Sequence, residues 1–130
     1  MHNFPEFWQT YQPRRAPGAK KNIPLLRICH GLQFINSYEG GSLKKVNNHV
    51  RVYHKIKSKN DYPLKVNSFH EYSVNKLGKN FQIISTSYDD QIEAIRHNKY
   101  YWLGWMWHPE RDRVFNKNLK KIAKSFFNKK

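Results

Sequence analysis

The chain has 130 residues, 24 lysines and arginines against 9 acidic residues, a formal net charge of +15 and one cysteine. One thiol excludes an internal disulfide, the length accommodates one domain of ordinary size, and no apolar run approaches the ~20 residues that span a bilayer. The cationic excess suits a polyanionic partner, but its lysines are spread along the chain in pairs and form no recognition-helix, zinc-finger or RNP-like pattern.

Residues 1–20 are expected to form an irregular extension, because Pro5, Pro13 and Pro17 interrupt any helix or central strand. The start, Met1-His2-Asn3-Phe4-Pro5-Glu6, has neither the basic cluster nor the apolar core of a secretory signal. A reducing, cytoplasmic setting is therefore expected. Residues 21–130 read as the folded domain. Ile23–Ile28 is short and apolar, with its proline near the start, which predicts a strand buried on both faces. After Cys29 the spacing of Leu32, Ile35 and Asn36 predicts a helix that Gly40-Gly41 stops. Residues 43–62 mix Lys, Asn and His and are expected to form a loop or small hairpin. Strands are predicted over Leu64–Phe69, Phe81–Ser87, Ile92–Arg96 and Tyr100–Trp107. A closing helix over Asn116–Phe127 places Leu119, Ile122, Ala123, Phe126 and Phe127 on one stripe.

The order strand, cysteine, helix is that of a nucleophile elbow, in which a tight turn presents the side chain at the carboxyl end of the sheet. The helix N-terminus favours thiolate over thiol, and the His30 amide is placed to hold a developing oxyanion. Gly31 suits a turn with little room for a Cβ. Late in the chain, Trp107-His108-Pro109-Glu110 supplies a base and a carboxylate. Alternation along a strand would project His108 and Glu110 to one side, with Pro109 ending the strand between them. A carboxylate beside an imidazole fixes its tautomer and stabilises the imidazolium.

Five ordered segments, Ile23 to Gln33, Gly40-Gly41-Ser42-Leu43, Val66-Asn67-Ser68-Phe69-His70, Asp90 to Ile95 and Trp107-His108-Pro109-Glu110, resemble the landmarks of class I glutamine amidotransferase-like hydrolases. The nearest branch is the γ-glutamyl-γ-aminobutyrate hydrolase type. The resemblance implies a partial flavodoxin-like, three-layer α/β fold with a mostly parallel sheet, a nucleophile elbow and antiparallel strands toward the C-terminus. It implies catalytic Cys29, His108 and Glu110, the His30 backbone as oxyanion donor, and a glutamyl pocket lined by Gln33, Asn67, Ser68, Phe69 and His70. The reaction implied is hydrolysis of a γ-glutamyl amide through a glutamyl thioester, releasing glutamate, with no cofactor and no metal.

Asn47-Asn48-His49-Val50, His54 and the stretch from Met106 to Arg111 are similar to the subgroup that hydrolyses a γ-glutamyl-CDP-amidate, and a cationic surface suits such a nucleotide-linked substrate. His49 and His54 are otherwise expected to be ordinary loop residues; a zinc site would need further ligands that their spacing does not supply. Two features depart from the family pattern. Arg27 stands where the family carries glycine, and the family's N-terminal half, with a glycine loop giving a second oxyanion donor, has no counterpart. The expectation is a truncated, catalytically silent member unless a homo-oligomer or complementing chain completes it. A basic nucleic-acid-binding module is the third reading.

Overall fold

Strand β1 (Leu25–Ile28) runs into helix α1 (His30–Tyr38) with Cys29 alone between them. The computed structural model describes residues 23–58 and 61–128, so the extension expected over residues 1–20 lies outside the described residues. Helix α1 ends as its glycines predict. Gly40 adopts φ 87°, and the amides of Gly40 and Gly41 donate to the carbonyls of Ser37 and Asn36, closing the last turn. There follow β2 (Ser42–Lys45), β3 (Val50–Ser58), β4 (Lys65–Phe69), β5 (Tyr72–Lys76), β6 (Phe81–Ser87), β7 (Ile92–His97) and β8 (Trp102–Trp105). A 3-10 turn at Pro109–Arg111 and helix α2 (Lys117–Asn128) complete the order.

Six strands form one sheet in the order β1-β8-β7-β6-β3-β4, and β2 pairs with β5 separately. The parallel arrangement expected for most of the sheet is confined, among the described strands, to β1 and β8. Chain connection explains this. Parallel neighbours need a crossover of a dozen or more residues, whereas β6, β7 and β8 follow one another through short turns that only antiparallel pairing allows.

Alternation along the strands separates two cores. Leu25, Ile95 and Trp102 pack with Leu32 and Ile35 of α1, whereas Leu26, Ala94 and Leu103 pack with Leu119 and Phe126 of α2. The sheet is thus sandwiched between helices, the three-layer α/β arrangement anticipated. Leu32, Ile35 and Trp102 have no exposed surface, and each such burial contributes about 1.5–3 kcal/mol. Asn116 caps α2 rather than opening it, its Oδ1 accepting from the amides of Asn118 and Leu119. Phe127 leaves the expected stripe and is half exposed.

The segment read as a loop or small hairpin contains instead the nine-residue β3, which bridges β4 and β6. Only Ile56 of β3 is buried, so its backbone ladders rather than an apolar face hold it in place.

Candidate active site

Cys29 occupies the corner with φ 51° and ψ −104°, a conformation that costs a non-glycine residue roughly 1–3 kcal/mol and is sustained by the elements on either side. Its N–H donates 2.7 Å to the Trp105 carbonyl on β8, and its carbonyl accepts from the Gln33 amide at 3.1 Å to start α1. The parallel register pairs Ile28 with Trp105. Both carboxyl ends therefore lie at one edge of the sheet, with Cys29 one residue past β1 and His108 three past β8.

The thiol is not poised as thiolate. Burial pushes its pKa from the ordinary 9.0 up to about 11, outweighing the His30 amide, which hydrogen-bonds the sulfur, and the Arg111 charge. The helix N-terminus, expected to favour thiolate over thiol, is outweighed by desolvation. Deprotonation is required for simple alkylation, so iodoacetamide should modify Cys29 at pH 7 roughly tenfold more slowly than an ordinary thiol, the greater nucleophilicity of the more basic thiolate offsetting part of the loss of ionised form. Its rate should climb about tenfold per pH unit until pH nears about 11; a plateau already near 9.0 would contradict the assignment.

His108 and Glu110 meet, but not by strand alternation. Strand β8 stops at Trp105, and the 3-10 turn beginning at Pro109 brings Glu110 Oε2 to 2.6 Å from His108 Nδ1. With Nδ1 donating to the carboxylate, Nε2 is left as the basic nitrogen. Arg111 continues the turn, its guanidinium 4.7 Å from the centre of the Phe69 ring, which meets the His108 imidazole edge-on at 6.0 Å.

The family model for class I glutamine amidotransferases matches residues 10–128. The chain belongs to the class I glutamine amidotransferase family. It is 34% identical over 108 residues to the gamma-glutamyl-CDP-amidate hydrolase of Campylobacter jejuni, covering 83% of this chain and 52% of that protein. It is 31% identical to a putative glutamine amidotransferase of Schizosaccharomyces pombe, covering 70% of this chain and 44% of the relative. This amidotransferase chain thus spans about half the length of the curated relatives it matches. Among solved structures, a putative GMP synthase protein from Thermoplasma acidophilum superposes with a TM-score of 0.70 at 23% identity, covering 82% of this chain and 56% of the other. A glutamine amidotransferase from Thermotoga maritima gives 0.61 at 22% identity, covering 82% and 49%. These two likenesses establish the shared fold.

Within this amidotransferase fold, the residues anticipated as pocket lining divide by what they touch. Asn67 is buried and clamps the His108 backbone: its Oδ1 accepts from the His108 amide at 2.9 Å and its Nδ2 donates to the His108 carbonyl at 2.7 Å. Nδ2 also donates to Asp112 Oδ1 at 2.8 Å, a partner that sequence reading missed because Asp112 lies beyond the His-Pro-Glu motif. Gln33 donates to the Tyr72 carbonyl at 3.2 Å and to Met106 Sδ at 3.8 Å, while its buried Oε1 has no hydrogen-bond partner among the described residues. Ser68 donates to the His49 carbonyl at 2.6 Å, and His70 turns Nδ1 to the Tyr72 carbonyl at 3.0 Å. Of this stretch, Phe69 is the residue whose ring meets the His108 imidazole.

Arg27 lies at the elbow itself. A Cβ on Gly31 would stand 2.9 Å from both Cβ and Cδ of Arg27, so the side chain already fills the space over the first turn of α1. Arg27 Nε is buried without a hydrogen-bond partner among the described residues. Gly31→Ala should therefore cost about 1–3 kcal/mol by overpacking. That cost should largely vanish in an Arg27→Gly background, as a double-mutant cycle of denaturant unfolding would register. An undiminished cost would show that the glycine answers to another neighbour.

Proposed function

We propose that the chain carries the machinery for hydrolysis of a γ-glutamyl amide through a glutamyl thioester. The reading rests on one observation above all: a strained, buried thiol at the corner after β1, whose parallel neighbour β8 is followed three residues on by His108, with its Nδ1 2.6 Å from Glu110 Oε2. Because the thiol is protonated at rest, attack and proton transfer proceed together, and His108 acts as general base at the moment of bond formation.

In the first half-reaction Cys29 Sγ bonds to the amide carbon while its proton passes to His108 Nε2. The His30 amide stabilises the oxyanion, and Glu110 stabilises the imidazolium. Collapse breaks the carbon–nitrogen bond, and the proton on Nε2 leaves with the amine. In the second, His108 takes a proton from water, hydroxide attacks the thioester, glutamate departs and the thiol is restored. Asn67 is a positioning residue through its hold on the His108 backbone.

The similarity to a protein named gamma-glutamyl-CDP-amidate hydrolase, together with the net charge of +15, supports a leaving group that bears a nucleotide. A specific observation favours a second reading, a chain without turnover: Arg27 packed over Gly31 narrows the elbow. The experiment is glutamate release from γ-glutamyl amides with and without a nucleotide on the leaving amine. Release that prefers the nucleotide-bearing amide supports the reading, and release that is absent from every γ-glutamyl amide in both the wild-type and Arg27→Gly proteins rejects it. If Arg27→Gly then restores release, the arginine is the obstruction.

A further inference from the structure

Apart from Cys29 and the His108–Glu110 pair, four side chains from distant parts of the chain converge: His49 before β3, His54 within it, His70 after β4 and Glu93 on β7. Each offers one ligand atom, and these atoms all lie within 4.8 Å of one another. His49, His70 and Glu93 are buried, and the His54 side chain is 17% exposed. The two histidines expected to be ordinary loop residues thus sit inside the protein with two partners that their spacing did not reveal.

The hydrogen-bond directions carry the inference. On the outward side of the cluster, His49 Nε2 meets Asp89 Oδ2 at 2.7 Å, His70 Nδ1 meets the Tyr72 carbonyl at 3.0 Å, and His54 Nδ1 faces the Lys55 carbonyl at 3.4 Å. A carboxylate or carbonyl only accepts, so the hydrogen of each imidazole belongs on its outward nitrogen. In the neutral imidazoles the inward nitrogens, Nδ1 of His49 and Nε2 of His54 and His70, are then lone pairs. They face Glu93 Oε2 at 3.7, 3.5 and 3.5 Å. Ser68 does not relieve the clash of acceptors, since its hydroxyl hydrogen is directed to the His49 carbonyl at 2.6 Å. Both Glu93 oxygens and Nε2 of His54 and His70 are buried without a hydrogen-bond partner among the described residues.

One proton on Glu93 would satisfy one of these lone pairs and leave the others facing one another. A single cation satisfies all four. A tetrahedral ion about 2.0–2.1 Å from each ligand holds its ligand atoms roughly 3.3 Å apart, near the 3.5–3.7 Å that separate Glu93 Oε2 from the three imidazoles, and binding would draw together the atoms that now stand up to 4.8 Å apart. Three imidazoles and one carboxylate suit a borderline transition ion rather than calcium or magnesium, which take oxygen ligands. The Asp89 carboxylate behind His49 supplies the outer-shell orientation that metal-bound histidines use.

We propose that His49, His54, His70 and Glu93 form a closed, tetrahedral site for a divalent transition ion of the zinc type. With four protein ligands the ion is structural. It ties the β3–β4 hairpin to β7 and so steadies Phe69, one residue before His70, against the His108 ring.

The test uses the untagged full chain. After gel filtration its metal content is measured, and the chelated protein is then titrated with Zn²⁺ and with Co²⁺. The expected results are one ion per chain, a rise in melting temperature with Zn²⁺, and the intense visible bands of tetrahedral Co²⁺. His54→Ala and Glu93→Gln should abolish the Co²⁺ bands. Asp89→Asn, at an exposed side chain outside the cluster, should keep the fold and weaken Zn²⁺ affinity about 10–100-fold. Substoichiometric binding by the folded wild-type chain with no shift in melting temperature would overturn the proposal, as would a Zn²⁺ affinity unchanged in folded Asp89→Asn. These readouts need no turnover, so failure of the metal site and failure of the proposed hydrolysis are separable.

Discussion

Cys29→Ala is expected to reduce glutamate release from a γ-glutamyl amide by roughly 10⁶, the scale on which removing a covalent nucleophile acts. The loss follows from the order of events at the elbow. A thiol with its pKa raised to about 11 contributes nothing as a pre-formed thiolate, so every turnover depends on concerted proton transfer to His108, and alanine removes both the proton and the bond-forming atom. Structure should survive the change, because Cys29 is small and the corner is held by its backbone bonds to Trp105 and Gln33. Far-UV circular dichroism should therefore be unaltered while release falls to background. Equal release by the two proteins would remove Cys29 from the mechanism.

Asn67→Ala should lower kcat by about 10² while changing KM little, a loss on the scale of misplacing a catalytic group by about an ångström. Both backbone groups of His108 lose their partner at once, and with them the anchor that fixes the backbone carrying the imidazole. Stability should fall as well, by about 1–3 kcal/mol, because buried donors and acceptors lose their partners. Asn67→Asp separates the two effects. Its carboxylate can still accept from the His108 amide but cannot donate to the His108 carbonyl, so kcat should recover only in part. A KM effect with unaltered kcat would place Asn67 on the substrate instead.

The chemistry-bearing corner and the helices on either side of the sheet are legible in the sequence, because each has a strong local signature. The apolar run before Cys29, the 3.6-residue spacing after it and the Gly40-Gly41 stop are all decided within a dozen residues. Strand β3 is not legible, for the opposite reason. With Ile56 its only buried residue, it shows neither alternation nor an apolar run, and long-range pairing to β4 and β6 decides its conformation. The same limit hides the cluster of His49, His54, His70 and Glu93. Its members lie up to 44 positions apart, and it exists only because β3, β4 and β7 are brought together by the sheet. The ionisation of Cys29 escapes sequence reading because the local cue, a helix N-terminus, is visible there, whereas the burial that outweighs it is a property of the packed fold. Glu110 does stand beside His108 as the motif suggests, but the 3-10 turn rather than a strand makes the 2.6 Å contact.

The most direct measurement is peptide mapping after incubation with a glutamine-like diazoketone, an electrophile that reports whether a bound γ-carbonyl analogue reaches an activated sulfur. A single adduct on Cys29, slowed by His108→Ala and blocked by a competing γ-glutamyl compound, is the outcome expected if the thiol and imidazole work as a unit. A folded chain that takes no label at Cys29, or takes it at a rate indifferent to His108, would contradict it.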